Sequence, residues 1–315
     1  MKNSAAPILF NKPKSIWRRI FERWELYVFL VPAVVYLVLF NYAPMYGILM
    51  AFKDFRPSRG ILGSEWVGLK HFQRFISMPA FGDILRNTLT LSLYSLFASF
   101  PLPVVLALSM NSCEAKRFRK AVQTITYIPY FISMVVLVGM INIFFSPSLG
   151  IISNMLKKFG MLDGTLNILV QADKFPHLYV WSGVWQNIGW NSIIYMSALS
   201  AVDPALHEAA VVDGASKFQR IRYIDFPAIL PTVVIMLILD TGKIMNVGFE
   251  KVYLMQNAMN LSTSEIISTY VYKIGIQQGK YSLSTAINLF NSIINFILLL
   301  SVNFISKKAG QASIW

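Results

Sequence analysis

An all-α membrane protein, six transmembrane helices with a cytoplasmic helix-turn-helix loop, is the fold class the chain predicts, and three observations predict it. Of its 315 residues, 55% are hydrophobic and only 14% charged, whereas about a quarter of a soluble globular chain is charged. Apolar runs long enough to cross hydrocarbon, which takes about 20 residues of helix, can be marked over 26–51, 84–110, 121–145, 177–202, 228–249 and 281–305. Between the fourth and fifth runs, a polar stretch from Asp203 to Pro231 carries the start and stop signals of two short helices.

Taken in order, the segment 1–25 is basic, with Lys2, Lys12, Lys14, Arg18, Arg19 and Arg23, and places Ile16, Trp17, Ile20, Phe21 and Trp24 at helical spacing. Such a segment suits the anionic inner leaflet. It leads into an apolar run long enough to span, with no small-residue cleavage site, so the first span is expected to be its own targeting signal. Pro32 and Pro44 predict that this span is bent. The loop from Phe52 to Asp83 mixes aromatics with Gly60, Gly63 and Gly68 and reads as a structured lip. Both a rest for an external protein and simple packing on the bundle fit it.

The second span carries Pro101 and Pro103 and runs into Lys116, Arg117, Arg119 and Lys120. With the basic N-terminal segment, these charges put both termini in the cytoplasm under the positive-inside rule. The third span holds Tyr127, Pro129 and Tyr130, and the connection 147–176 beyond it contains a candidate amphipathic surface helix. The fourth span is polar, with Trp181, Trp185, Gln186, Asn187, Trp190, Asn191 and Ser192. An amide facing lipid without a partner is costly, so these groups are expected to face the bundle or a wet cavity. For Trp185 and Trp190, a ring-stacking platform and plain packing both stand.

In the stretch after it, Asp203 fits an N-cap and Pro204 the first helical position. Gly214 fits the left-handed turn that ends the first helix. Ser216 and Gln219 have the form of a capping box, and Pro227 is expected to end the second helix. The fifth span contains Asp240 and Lys243, three residues apart and read first as a neutralising pair, then a bend near Gly242, Asn246 and Gly248. The sixth repeats Ser284, Asn288, Asn291, Ser292 and Asn295 at steps of three and four. That stripe suits either helix packing or the lining of a path for a hydroxyl-rich cargo, since amides offer both donors and an acceptor. The segment 306–315 is the cytoplasmic tail.

Glu208, Ala209 and Ala210, then Asp213 and Gly214, and at a fixed distance Ile224 and Pro227, resemble the EAA loop of permease subunits of binding-protein-dependent ABC importers, with Phe226 where leucine is usual. The stretches from Phe40 to Phe72 and from Asp240 to Gln256 look like the branch that handles oligosaccharides and polysaccharide fragments. The resemblance implies that Glu208, Ala209, Ala210, Asp213, Gly214 and Pro227 form the part that docks on a separate ATPase. It also implies a bacterial cytoplasmic-membrane location, a second permease subunit, two ATPase subunits and an extracytoplasmic solute-binding protein. ATP and Mg2+ would be bound by the ATPase partner and no cofactor by this chain. Trp185, Gln186, Asn187, Trp190, Asn191, Lys243, Asn246, Asn288, Asn291 and Asn295 are the candidates for lining the path of an oligosaccharide, with contact to an anionic uronic acid the second reading of Lys243 beside its pairing with Asp240.

Other functions find less support. The chain has no GxxxxGK[ST] loop, no HExxH or nucleophile motif, and one cysteine, Cys113, so neither a catalytic nor a metal site is expected. A formal charge of +13 raises nucleic acid as a partner, but the cations are spread through every loop and topology explains them. An ion-coupled secondary transporter would need intramembrane ionisable groups and often repeated halves. Only Asp240 and Lys243 qualify, and no repeat is visible. An ABC permease for a non-sugar solute is the remaining alternative.

Overall fold

The computed structural model describes residues 24–148, 150–160, 167–308, 310 and 313, so the basic segment 1–23 and most of the tail after 308 lie outside the described residues. Helix α1, Trp24–Phe52, is an apolar rod of 29 residues. None of its first part, Trp24–Leu37, is buried. At Val38–Tyr42 its hydrogen bonding widens to a π turn, with Ala43 N–H reaching back to Val38 O immediately before Pro44. A proline has no N–H to give the usual partner four residues back, so a change of register falls there at little cost. A lip follows, as the glycines predicted. β1 (Lys53–Asp54) pairs antiparallel with β2 (Glu65–Trp66), and Phe52 stacks on Trp66 at 5.7 Å between centroids. Short helix α2, Lys70–Ile76, then buries Phe75 and His71. His71 Nε2 lies 3.2 Å from Lys53 O, and burial holds its pKa below the usual histidine range.

Helix α3, Phe81–Asn111, is a second apolar rod, of 31 residues. The third run departs from expectation. Where 121–145 reads as a single span, the structure has α4 (Lys116–Tyr127), a 3-10 turn over Ile128–Phe131, and α5 (Met134–Phe144), bent from the preceding helix by 102°. Extended Ile132 breaks the helix, and Ser133 starts α5 by accepting Val136 N–H. After α6 (Ile151–Lys158), the amphipathic segment expected in that connection, comes α7, Phe175–Ser200. At 1.5 Å per residue its 26 residues reach about 39 Å. Helix α8 (Pro204–Val212) precedes α9 (Lys217–Thr241). Pro227 does not end that second helix. A π turn over Ile221–Asp225 sends Phe226 N–H back to Ile221 O, and the α-helix continues from Phe226 with proline in its first turn, the register device already seen before Pro44.

Three short helices, α10 (Phe249–Met255), α11 (Leu261–Ser264) and α12 (Ile267–Tyr272), fill the connection to α13, Tyr281–Lys308. Asn257 Nδ2 donates to Leu169 O at 2.9 Å and Asn87 Nδ2 to Ser262 O at 2.9 Å, which fastens the connection to its neighbours. Among the described residues α1, α3, α9 and α13 are long and apolar enough to cross a membrane, and the bent α4–α5 pair is a fifth candidate. Helix α7 has the length but not the apolar composition.

Three apolar clusters hold the bundle. One joins Leu91 of α3 to Phe175, Val180 and Val184 of α7 and Val252 of α10. The second joins Phe75, Ile84, Ile267 and Ile287 across α2, α3, α12 and α13. The third joins Val104 and Ala107 of α3, Tyr195 and Leu199 of α7 and Ile229 of α9. Helix α7 belongs to two of them and is the central post. At Gly189 it meets α4 so closely that a Cβ there would sit 2.2 Å from Thr126 O. Small residues permit such backbone approach.

Candidate functional site

The loop from α7 to α9 is built as its residues dictate. Asp203 Oδ1 accepts Ala205 N–H at 2.9 Å, capping α8. Gly214 ends α8 at φ +76°, and Ala215 N–H closes the turn on Ala210 O at 2.8 Å. Ser216 and Gln219 form the reciprocal capping box, with Ser216 N–H donating to Gln219 Oε1 at 2.7 Å. The result is a rigid protrusion with a wet apolar tip: Val212 is 88% exposed and Phe218 69%. Glu208, Ala209 and Asp213 are also exposed, while Ala210 is half-buried and Pro227 lies away from the tip on α9.

Three residues whose mutual contact sequence reasoning did not foresee fasten this protrusion. His207 Nε2 lies 3.2 Å from Asp225 Oδ1, and Asn111 Nδ2, from the end of α3, donates to the same oxygen at 3.1 Å. Asp225 is 2% exposed. A carboxylate directly before an apolar run was the available signal, but its partners are remote in sequence. Lys217 pairs with Glu114 at 2.8 Å, a hydrogen-bonded contact that holds the Glu114 carboxyl below its usual range. Behind the protrusion, a cavity of about 390 Å³ is lined by Asn111, His207, Glu208, Arg220 and Asp225.

The polar residues of α7 separate into distinct tasks. Buried Gln186 donates to Ile132 O at 2.9 Å and so satisfies the carbonyl at the α4–α5 break. Trp190 stacks on Tyr130, 4.2 Å between centroids and 3° from parallel, while Trp185 is about half exposed. Asn187 donates to Gly183 O, and exposed Asn191 carries no protein hydrogen bond among those seen. Asn191 and Ser99 are shared by three adjoining cavities of about 240 Å³ each between α3, α7 and the end of α9. Asp240 and Lys243 line this space too, but helix α9 stops at Thr241 and no ion pair within 4 Å joins them among the described residues. Lys243 lies in the turn that follows, near enough for its charge to act on Asp240 but not in ion-pair contact with it.

The stripe on α13 also divides. Asn291 and Asn295 are buried and both donate to Asn246 Oδ1, at 3.0 and 3.1 Å, while Asn295 Oδ1 accepts Met245 N–H at 2.9 Å. These amides hold the turn after α9. Asn288 and Ser292 instead face a separate cavity beside Met45 and Ile48 of α1. A further residue went unread in the sequence: Lys251 of α10 is 4% exposed, donates to Tyr179 O at 2.8 Å and borders the cavity that holds Asn187 and Asn191.

The comparisons with known proteins agree with this architecture. A family profile described as "binding-protein-dependent transport system inner membrane component" matches residues 99–311. The chain is 41% identical to the polygalacturonan/rhamnogalacturonan transport system permease protein YteP of Bacillus subtilis (strain 168), over 97% of this chain and 94% of that one. It is 39% identical to protein LplB of the same organism, over 100% and 98%. Among solved structures, it resembles a chain of a bacterial ABC transporter involved in the import of the acidic polysaccharide alginate, with a TM-score of 0.86 and 38% identity over 94% of this chain and 99% of that one. A bacterial alginate ABC transporter in complex with an alginate pentasaccharide-bound periplasmic protein matches with a TM-score of 0.87, at 37% identity over 96% and 100%. The profile covers the α8 protrusion, the α7 wall and the Asn246 turn alike, and by that match and these identities the chain belongs to the family of binding-protein-dependent transport system inner membrane components, the permeases of ABC importers.

Proposed function

We propose that this permease imports oligosaccharides, acidic polysaccharide fragments among them, as half of a translocation path whose other half is a second, different permease subunit. Two ATPase subunits supply the energy and an extracytoplasmic binding protein delivers the cargo. The path runs along the face of α7 that carries Asn187 and Asn191, past Ser99, Lys243 and the Asn246 turn. The chain crosses the membrane six times, α7 and the bent α4–α5 pair being counted as spans, with both termini in the cytoplasm.

The observation that carries this reading is the α8 protrusion. A capped, Gly214-terminated helix exposing Val211, Val212 and Phe218 to water has the chemistry of a protein-docking surface, and Glu208 sits on it. Docked on an ATPase that closes with nucleotide, it passes a rigid-body push to α7 and α9, between which it is strung. The acidic cargo is supported by the alginate importers and the YteP relative, and by the amides and cations of the central cavity.

The test is a pull-down from native membranes followed by reconstitution. A second permease, an ATPase and hydrolysis stimulated by a loaded binding protein are the expected result, with oligosaccharide uptake. A Glu208→Lys, Gly214→Pro double variant should insert normally but lose stimulated hydrolysis; full transport by that variant would refute the docking role. A chain that purifies alone and transports without ATP would be a secondary transporter.

A further inference from the structure

Lys251 is a buried amine without a carboxylate partner; burial lowers its pKa to about 7, and an approaching carboxylate would favour its ammonium form. Its Nζ donates to Tyr179 O at 2.8 Å and lies 4.8 Å from the centroid of the Tyr179 ring. No carboxylate stands within 4 Å of it among the described residues. An ammonium has three donor hydrogens, and one meets Tyr179. Burying a charge unpaired is costly, and a packing role on α10 is open to an uncharged side chain of the same length. The nitrogen is not sealed off, because Lys251 borders the same cavity as Gly183, Asn187 and Asn191.

We infer that Lys251 is a carboxylate-recognition residue of the translocation path, meeting the uronate carboxylate of an acidic oligosaccharide as the cargo passes α7; this rests on the importer reading above. A carboxylate accepts hydrogen bonds and donates none, and the groups around the cavity answer that need with the Lys251 ammonium, the Asn191 amide and the Ser95 and Ser99 hydroxyls. The charges are arranged along α7. Lys251 sits beside Gly183, while Asp240 and Lys243 line an adjoining cavity that shares Asn191, Tyr179 and Gly248 with it. An anionic cargo is therefore attracted at one level and meets a mixed field, Asp240 repelling and Lys243 attracting, at the next. The site favours arrival without becoming a trap.

The test uses the whole complex in proteoliposomes, with its binding protein loaded with a galacturonate pentasaccharide. Lys251→Met should lower uptake about tenfold or more, as expected for loss of one member of a desolvated charge pair, while stimulated ATP hydrolysis stays within about twofold of wild type. Lys251→Arg, which keeps the charge, should restore most of the uptake. A measurement on unaltered protein guards against a folding defect: a water-soluble carbodiimide applied during turnover should couple a cargo carboxyl to the Lys251 amine, as an amide located by mass spectrometry. Wild-type uptake by Lys251→Met, or coupling to Lys243 with none at Lys251, overturns the inference. If Lys251→Met does not assemble, the coupling result decides. Failure of the importer reading looks different, because then the loaded binding protein stimulates no hydrolysis even in the wild-type complex.

Discussion

Single side chains carry much of what distinguishes this bundle. Gly189 is where α7 and α4 touch, and the 2.2 Å that a methyl group would leave to Thr126 O cannot be accommodated without parting the helices. Gly189→Ala should cost about 1–3 kcal/mol, the usual range for overpacking, and lower the unfolding temperature of the purified protein followed by tryptophan fluorescence. Asparagines one turn apart on α13 should behave oppositely. Asn291→Leu removes the buried amide that donates to Asn246 Oδ1 and is expected to reduce assembly, scored by size-exclusion yield. Asn288→Leu faces a cavity and should leave that yield unchanged. Their difference was not legible in the sequence, where both lie on one polar stripe, because what separates them is Asn246 in the turn after α9.

At the level of elements, legibility followed locality. The caps of α8 and of the helix after it, the left-handed Gly214 and the reciprocal Ser216–Gln219 bonds could all be read, since each is settled within four or five residues. The outcome at Pro227 could not, because a π turn lets the chain continue through a residue that would otherwise stop it. Likewise an apolar run from 121 to 145 does not reveal a 102° bend. The bend is maintained by Gln186, whose amide supplies the donor that Ile132 O lacks in any helix of its own. Gln186→Leu leaves that carbonyl unsatisfied, at about 1–3 kcal/mol, and should raise amide hydrogen exchange across 128–134 in the detergent-solubilised complex.

For the molecule as a whole, the path and the protrusion share one post. Helix α7 walls the cavities along one side and hands the chain to α8 at its end, so motion of the protrusion has a direct route to the cargo space. The connection is strengthened by Asp225, which holds His207 of α8 and Asn111 of α3 together. Asp225→Ala removes the acceptor common to both, and the expected outcome is hydrolysis that no longer rises with loaded binding protein, at unchanged insertion into membranes. Hydrolysis and uptake that both stay at wild-type levels would show that the contact is dispensable for coupling. How far the central cavity serves the cargo was only partly visible in the sequence. The amides of α7 announced a wet face, but Lys251 stands in an otherwise unremarkable FEKVYLM stretch and acquires its meaning from Tyr179, 72 positions earlier.

The His207–Asp225 contact also decides how α8 behaves as a machine part. A strut hinged only where it joins α7 and α9 would swivel when pushed, and much of the stroke would be spent on rotation. Pinned at a third point, it is triangulated like a truss. A shove delivered at Val212 is then expected to displace the feet of α3, α7 and α9 together, so that the stroke arrives at the cargo space as translation.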